Sequence, residues 1–371
     1  MTRVVVRGSG NRSRALVAKP GRLADFAGSA RRVTLSTADR GRRRDGCIPE
    51  FATYGLPVDF PSPSNEGTSS VLAWLQLCRL ANVFTALADI ALGLLLATGS
   101  WSPAPRSLLL VAASACLYTA GMVLNDYFDR DIDAVERPRR PIPSGRIAAR
   151  QAAILGFGLL IAGLVCSGLV GLPSLSVAAL LAVAILGYDA WLKRTPVGPL
   201  AMGSCRALNV LLGASVAGLE SWTGDLERVF TGGHVPLAVG MGLYITGVTW
   251  FARKEAEQSR PLQLGLALLV VDAAFAWLIW SVLSRTQTFL PPLNIALILG
   301  CIAVTINRRA LMALQDPSPG RVQGTIKIML LTLIVLDATL ALTVVPVLPY
   351  AAAILALLVP TLLLARLLAV T

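Results

Sequence analysis

The stretch "NDYFDRDIDAVERPRRPIPSG", residues 125–145, directly follows the apolar run 108–124 and concentrates acid, base and proline as nothing else in the chain does. Asn125, Asp129 and Asp133 are spaced by four, and Asp126 adds a neighbour. If the preceding helix runs on for two turns, the amide and the carboxylates stack on one face. Like charges at that spacing repel, so a bare helix would be destabilised, and a divalent cation is the natural neutraliser. Oxygen donors with open positions suit Mg²⁺, which takes one or two carboxylates, several waters and substrate phosphate oxygens. The partner implied is a diphosphate. The competing reading is a solvated helix end with Asp–Arg pairs, which Arg130 and Asp131, off that face, are expected to be.

Behind the carboxylates, "ERPRRPIPSGRI" carries three prolines that forbid regular helix and are expected to hold the chain extended over the mouth of a bundle. Arg137, Arg139, Arg140 and Arg146 can each offer forked donors to phosphate, and Arg140 is the foremost candidate. The alternative is charge that merely fixes membrane orientation.

These residues must be positioned by membrane helices. The chain is 55% hydrophobic and 15% charged, against about a quarter charged in soluble domains. Apolar segments near 80–99, 106–125, 150–171, 174–192, 198–219, 234–252, 263–284, 290–307, 326–345 and 348–369 each approach the roughly 20 residues a bilayer requires. The fold class expected is an all-α, polytopic bundle of nine or ten transmembrane helices. If the spans alternate, the loops at 130–150, 193–194, 253–260 and 308–327 share one side and hold 15 Lys and Arg, whereas the opposite loops hold only Arg106, Arg228 and Arg285. The positive-inside rule then puts the carboxylate motif on the cytoplasmic side, in a bacterial inner membrane.

The net charge of +12 says little about nucleic acid, because residues 1–70 alone hold 12 Lys and Arg against 6 Asp and Glu. No interleaving of aromatic and basic residues points to a strand-binding face. Residues 1–70 are rich in Arg, Ser, Gly and Pro and are expected to form a disordered basic extension, leaving 71–371 as the membrane domain. Six cysteines without a C-x-x-C pair and a single histidine, His234, exclude a zinc framework and a His-rich metal site.

Asn-Asp-x-x-Asp-x-x-x-Asp followed by Arg-Pro-Ile-Pro-Ser-Gly resembles the first signature of the UbiA superfamily of intramembrane prenyltransferases. "RLANVFTALAD" (79–89), "YDAWLKRT" (188–195) and "CRALNVLLGAS" (205–215) lie at the matching helix positions, so the resemblance covers roughly 75–345. "GVTWFARKEAE" (247–257) is similar to the UbiA-like EboC subgroup. The resemblance implies a helical bundle around a lipid-open cavity in which Mg²⁺ holds an isoprenyl diphosphate and an electron-rich, lipophilic acceptor captures the allylic cation. Negative charge grows on the departing diphosphate, so metal and cationic side chains stabilise the transition state more than the ground state.

Carried onto this sequence, the resemblance makes Asn125, Asp129 and Asp133 the Mg²⁺–diphosphate ligands, with Asp126 a further metal candidate and Arg140 a phosphate clamp. Tyr188, Lys193 and Arg194 resemble the family's Tyr-x-x-x-Lys-Arg element with one residue more between Tyr and Lys. Asp129, Asp133 and Lys193 are the residues expected to carry the chemistry. Asn82 and Asn209, in i,i+3 pairs with Arg79 and Arg206, are either cavity residues or helix-to-helix hydrogen bonds, since polar side chains in lipid turn inward.

The family's second aspartate-rich motif has no counterpart here, because no aspartate occurs between Asp225 and Asp272. The matching loop offers Glu255 as a metal ligand and Lys254 as a phosphate contact, and both can equally be solvated loop residues. Asp272 and Asp337, deep in apolar helices, would be coupling sites in a carrier and helix contacts in a prenyltransferase. The leading expectation is Mg²⁺-dependent prenyl transfer. The alternative is a non-catalytic or transport-associated UbiA-like protein that binds or moves a lipid-like metabolite. An ion-coupled carrier unrelated to prenyl chemistry leaves 125–145 unexplained.

Overall fold

The computed structural model describes residues 66–217, 222–254, 260–286, 288–344 and 348–369. The extension expected at 1–70 thus lies outside the described residues, apart from Glu66–Ser70, which begin the first helix. Everything described falls within one unit, Ser62–Thr371, and contains no strand.

In chain order the helices are α1 (Glu66–Leu77), α2 (Leu80–Thr98), α3 (Ala104–Phe128), α4 (Arg130–Glu136), α5 (Ala149–Val170), α6 (Leu172–Ala190) and α7 (Gly198–Ala214). They continue as α8 (Leu226–Thr231), α9 (Val235–Phe251), α10 (Pro261–Leu283), α11 (Pro292–Gln315), α12 (Pro319–Ala341), α13 (Leu348–Ala356) and α14 (Leu358–Ala369). Each of the ten apolar segments expected from hydropathy is helical over most of its described residues. Eight stretches are long and apolar enough to cross a bilayer, and α9 is a shorter apolar helix. The chain is an integral, multi-pass membrane protein.

Neighbour packs on neighbour around a closed ring that runs α2, α3, α5, α6, α7, α9, α10, α11, α12 and back to α2. Residue size, more than hydrophobicity, decides which face turns inward, because lipid tails are as apolar as leucine. On α5, Ile154, Ile161, Val165 and Leu169 face outward, while Gly156, Gly163 and Ser167 are turned to α3. A Cβ at Gly156 would stand 2.7 Å from Leu124 and one at Gly163 2.7 Å from Leu117, so these side chains of α3 sit in the notches. Across the ring, α2 and α7 touch backbone to backbone. A Cβ at Gly93 would meet the Val210 carbonyl at 2.0 Å, and one at Gly213 the Ile90 carbonyl at 2.4 Å.

Two local features aim side chains at the site. The α1–α2 junction passes through Arg79 at φ 44°, a left-handed conformation rare for a residue with a Cβ. The α3–α4 junction is milder. Asp129 sits at φ −90°, ψ 0°, and the bonds Asp129 N–H to Asn125 O (3.0 Å) and Asp133 N–H to Asp129 O (2.8 Å) carry the helical repeat through the break.

Candidate functional site

Around Asp129 the expected stack of carboxylates is only partly realised, because cations divide it. Arg140 Nη1 reaches Asp133 Oδ2 at 2.6 Å and Asp126 Oδ1 at 3.1 Å, and Arg79 adds a 2.9 Å bond to the same Asp126 oxygen. Asp129 instead turns to Lys193 (2.8 Å) and Arg194 (3.4 Å), which stand on the 3₁₀ turn Leu192–Arg194 after α6. Arg130 and Asp131 form an exposed pair at 3.7 Å, as their off-face position predicts. Among the described residues no three acidic, histidine or cysteine side chains converge as a metal-holding group.

The segment expected to be extended over the mouth is instead a run of turns. Proline bars helix there, but Gly145 at φ 75° lets the backbone fold back, and bonds such as Ser144 N–H to Arg140 O (3.0 Å) and Ile147 N–H to Pro141 O (3.1 Å) close it. Arg146 is spent on this fold, donating to Ser144 Oγ, Gln76 Oε1 and the Arg139 carbonyl.

Between these groups opens a cavity of about 480 Å³ whose wall includes Asn125, Asp129, Asp133, Arg140, Lys193 and Arg194. Arg253 also lines it and donates to the Thr195 carbonyl at 2.7 Å, tying the loop after α9 to the one after α6. Tyr188 and Met202 belong both to this wall and to a narrower space of about 50 Å³ between α3, α6 and α7. That inner space is almost wholly apolar, and Arg206 and Asn209 also line it.

Beside the inner space, Arg206 is nearly buried and bonds Asp89 at 2.7 Å and Thr85 Oγ1 at 2.8 Å. Asn209 donates to the Ala86 carbonyl (2.9 Å) and to Asp89 (3.3 Å), and accepts from Ser114 Oγ (2.8 Å). Both alternatives for Asn209 therefore hold at once. Asp337 is fully buried against Asp89 and Arg206, within side-chain hydrogen-bonding reach of the Asp89 carboxyl. Asp272 accepts from Asn307 at 2.6 Å, a helix contact between α10 and α11.

Asn82 is corrected by the structure. It is exposed and stands outside both cavities, because α2 begins only at Leu80 and Arg79 lies in the left-handed region, so the assumed i,i+3 face does not exist. Arg79 lines the cavity instead. Glu255 and the Lys254 side chain lie outside the described residues.

Asp189 was not singled out from the sequence, and the structure makes it prominent. It ends α6, is 3% exposed, and accepts from Asn125 Nδ2 at 3.0 Å through Oδ1. Its Oδ2 is buried without a hydrogen-bond partner. The available signal was spacing, since Asp189 and not Tyr188 stands four residues before Lys193.

By chemistry the donors fit Mg²⁺. Asn125, Asp129 and Asp133 offer hard oxygen, and Mg²⁺ needs few protein ligands when water and phosphate complete its shell.

The model of the UbiA prenyltransferase family matches residues 86–320. A digeranylgeranylglyceryl phosphate synthase of Methanothrix thermoacetophila is 37% identical over 154 residues, covering 41% of this chain and 58% of that protein. The chain thus spans little more than half the length of the curated relatives it matches. Among solved structures, one of a digeranylgeranylglyceryl phosphate synthase superposes with TM-score 0.56 at 21% identity, over 74% of this chain and 98% of that one. A UbiA homolog from Archaeoglobus fulgidus bound to GPP and Mg²⁺ gives 0.53 at 13% identity, over 76% and 99%. At these identities the superpositions establish the fold.

Proposed function

The chain belongs to the UbiA prenyltransferase family, and from that premise we propose that it transfers an isoprenyl group from an isoprenyl diphosphate to a lipophilic acceptor inside the membrane. The observation that carries this reading is a pair of adjoining spaces of different character. The polar one gathers an amide, three carboxylates and six cationic residues, and the narrower one beside it is mostly apolar. An isoprenyl diphosphate has the same division.

In this reading Asn125, Asp129 and Asp133 hold Mg²⁺, with Asp126 kept to its pairs with Arg79 and Arg140. The bound ion supplies Lewis-acid neutralisation of the diphosphate. Lys193, Arg194 and Arg140 presently neutralise the carboxylates, and on ligand binding they are free to turn to phosphate oxygens, Lys193 as a point charge and the arginines as forks. The allylic C–O bond breaks with its electron pair leaving on the diphosphate. A lone pair of the acceptor forms the new bond to that carbon, and the acceptor gives up one proton. The apolar walls keep water from capturing the cation.

The concentration of Lys and Arg in the motif-bearing loops supports a cytoplasmic mouth. The matching relatives carry the name digeranylgeranylglyceryl phosphate synthase, so a glyceryl phosphate lipid is one acceptor class to assay. A second reading, diphosphate binding without turnover, is favoured by the ion pairs that already occupy each carboxylate of the motif.

Protein in nanodiscs, given a panel of allylic diphosphates with and without Mg²⁺, separates the two. Prenyl transfer predicts Mg²⁺-dependent diphosphate release together with prenylated lipid, and the binding reading predicts affinity without release.

A further inference from the structure

Arg253, shortly before α10, lines the carboxylate mouth, so the far end of this membrane-spanning helix, at Leu283, lies on the opposite face of the bundle. There it meets the start of α9, and a further cavity of about 380 Å³ opens between them, lined by Gly233, Pro236, Trp280, Ser281, Arg285 and Thr286. Two groups in its wall lack the partner their burial calls for. Arg285 is half-buried, and burial pushes its guanidinium below the usual arginine value, with no carboxylate paired to it among the described residues. Its Nη2 donates to the Gly233 carbonyl, which leaves the charge uncancelled. Ser281 is 5% exposed and its Oγ has no hydrogen-bond partner. Other helix hydroxyls, such as Ser167, Thr246 and Thr332, donate to the carbonyl four residues back, and Ser281 does not. A buried donor and an uncompensated cation in the wall of one space call for an anion that accepts hydrogen bonds.

We infer that this cavity binds the phosphodiester headgroup of an anionic membrane lipid, at the bilayer face opposite the diphosphate mouth. A guanidinium forks onto two phosphate oxygens, and the Ser281 hydroxyl can donate to one of them. The helix ends do not set the sign of the ligand's charge, since the start of α9 and the end of α10 meet there with opposing dipoles; Arg285 sets it. The surroundings favour a lipid over a free anion. Leu266, Leu269, Ala273, Trp277 and Trp280 form one exposed stripe at helical spacing along α10. At the end of that stripe Trp280 is 58% exposed, and Trp277, with its ring 5.3 Å away, is pinned to α9 by Nε1 donating to the Pro236 carbonyl at 2.8 Å. Tryptophan at the end of a span marks the headgroup level. Lipid chains can thus lie along the stripe while the phosphate reaches Arg285.

The test is native mass spectrometry of the full chain in detergent, titrated with dioleoyl phosphatidylglycerol. Arg285→Gln should bind the lipid about tenfold more weakly than wild type. Arg228→Gln, which removes an exposed arginine from the same membrane face outside the cavity, should bind it as wild type does. Dioleoylglycerol, which keeps the chains and lacks the phosphate, should not compete, and glycerol phosphate should compete only at far higher concentration. Ser281→Ala separates a ligand site from a packing role. It should melt no lower than wild type without lipid, because it deletes an unpaired buried hydroxyl, yet bind phosphatidylglycerol roughly fivefold more weakly and gain less stability from it. Should Arg285→Gln fail to fold, Ser281→Ala decides alone. The inference is overturned by lipid affinity equal to wild type in either cavity variant, by an equal fall in Arg228→Gln, or by competition from dioleoylglycerol. Glycerol phosphate binding as tightly as the lipid would also overturn it, making the cavity a site for a soluble anion.

Discussion

Replacing Arg206 by leucine removes the cation bonded to Asp89. The pair is deep: Asp89 is 0% and Arg206 8% exposed, the Nη1–Oδ2 distance is 2.7 Å, and the second nitrogen bonds Thr85 Oγ1 at 2.8 Å. Asp337, also 0% exposed, adds a second carboxyl to the same neighbourhood. Stripping the cation from a buried pair costs about 3–5 kcal/mol, while replacing both members by apolar residues is close to neutral. The lost bond to Thr85 adds about 1 kcal/mol. Arg206→Leu should therefore lower the melting temperature in detergent by on the order of 10 °C, and Asp89→Leu combined with Arg206→Leu should recover most of that loss. The assay is tryptophan-fluorescence unfolding of the four members of the double-mutant cycle at one detergent concentration. The reasoning fails if Arg206→Leu melts within a degree or two of wild type, or if the double variant is no more stable than the weaker single.

Three further outcomes are expected. Arg140→Gln releases Asp126 and Asp133 from their shared guanidinium and should weaken Mg²⁺-dependent binding of geranylgeranyl diphosphate about tenfold by calorimetry; unchanged affinity would make Arg140 a charge balancer only. Gly213→Val drives a Cβ into the Ile90 carbonyl, which it would meet at 2.4 Å, and should cost about 3 kcal/mol or abolish accumulation in the membrane, whereas Gly300→Val, with nothing within 4 Å of its Cβ, should accumulate normally. Burial lowers the pKa of His234, whose Nε2 lies 2.8 Å from the Val229 carbonyl. The unfolded chain then takes up a proton before the folded one, so this contribution is intact above about pH 6.5 and is lost as pH falls through the lower folded value. The melting-temperature difference between wild type and His234→Gln should shrink on acidification.

The helices were legible because a bilayer imposes one length and one composition, and the carboxylate motif because its spacing and its prolines are local. What sequence spacing missed depends on partners far along the chain. Arg140 divides Asp126 and Asp133 from Asp129 only because Lys193, some sixty residues on, draws Asp129 the other way. Asn82 was misplaced since a face argument assumes one unbroken helix, and Arg79 breaks it with a positive φ. Asp189 was visible as a letter four places before Lys193, yet its importance comes from the Asn125 amide that it holds on another helix.

The central claim is that the motif carboxylates serve turnover as well as binding. Diphosphate release from geranylgeranyl diphosphate, measured in nanodiscs with a lipid acceptor for wild type, Asp129→Ala and Asp133→Ala across Mg²⁺ concentrations, tests it most directly. The account predicts Mg²⁺-dependent release in wild type and its loss in both variants. Release that is unchanged in both, or absent from a wild type that binds the diphosphate, would contradict it.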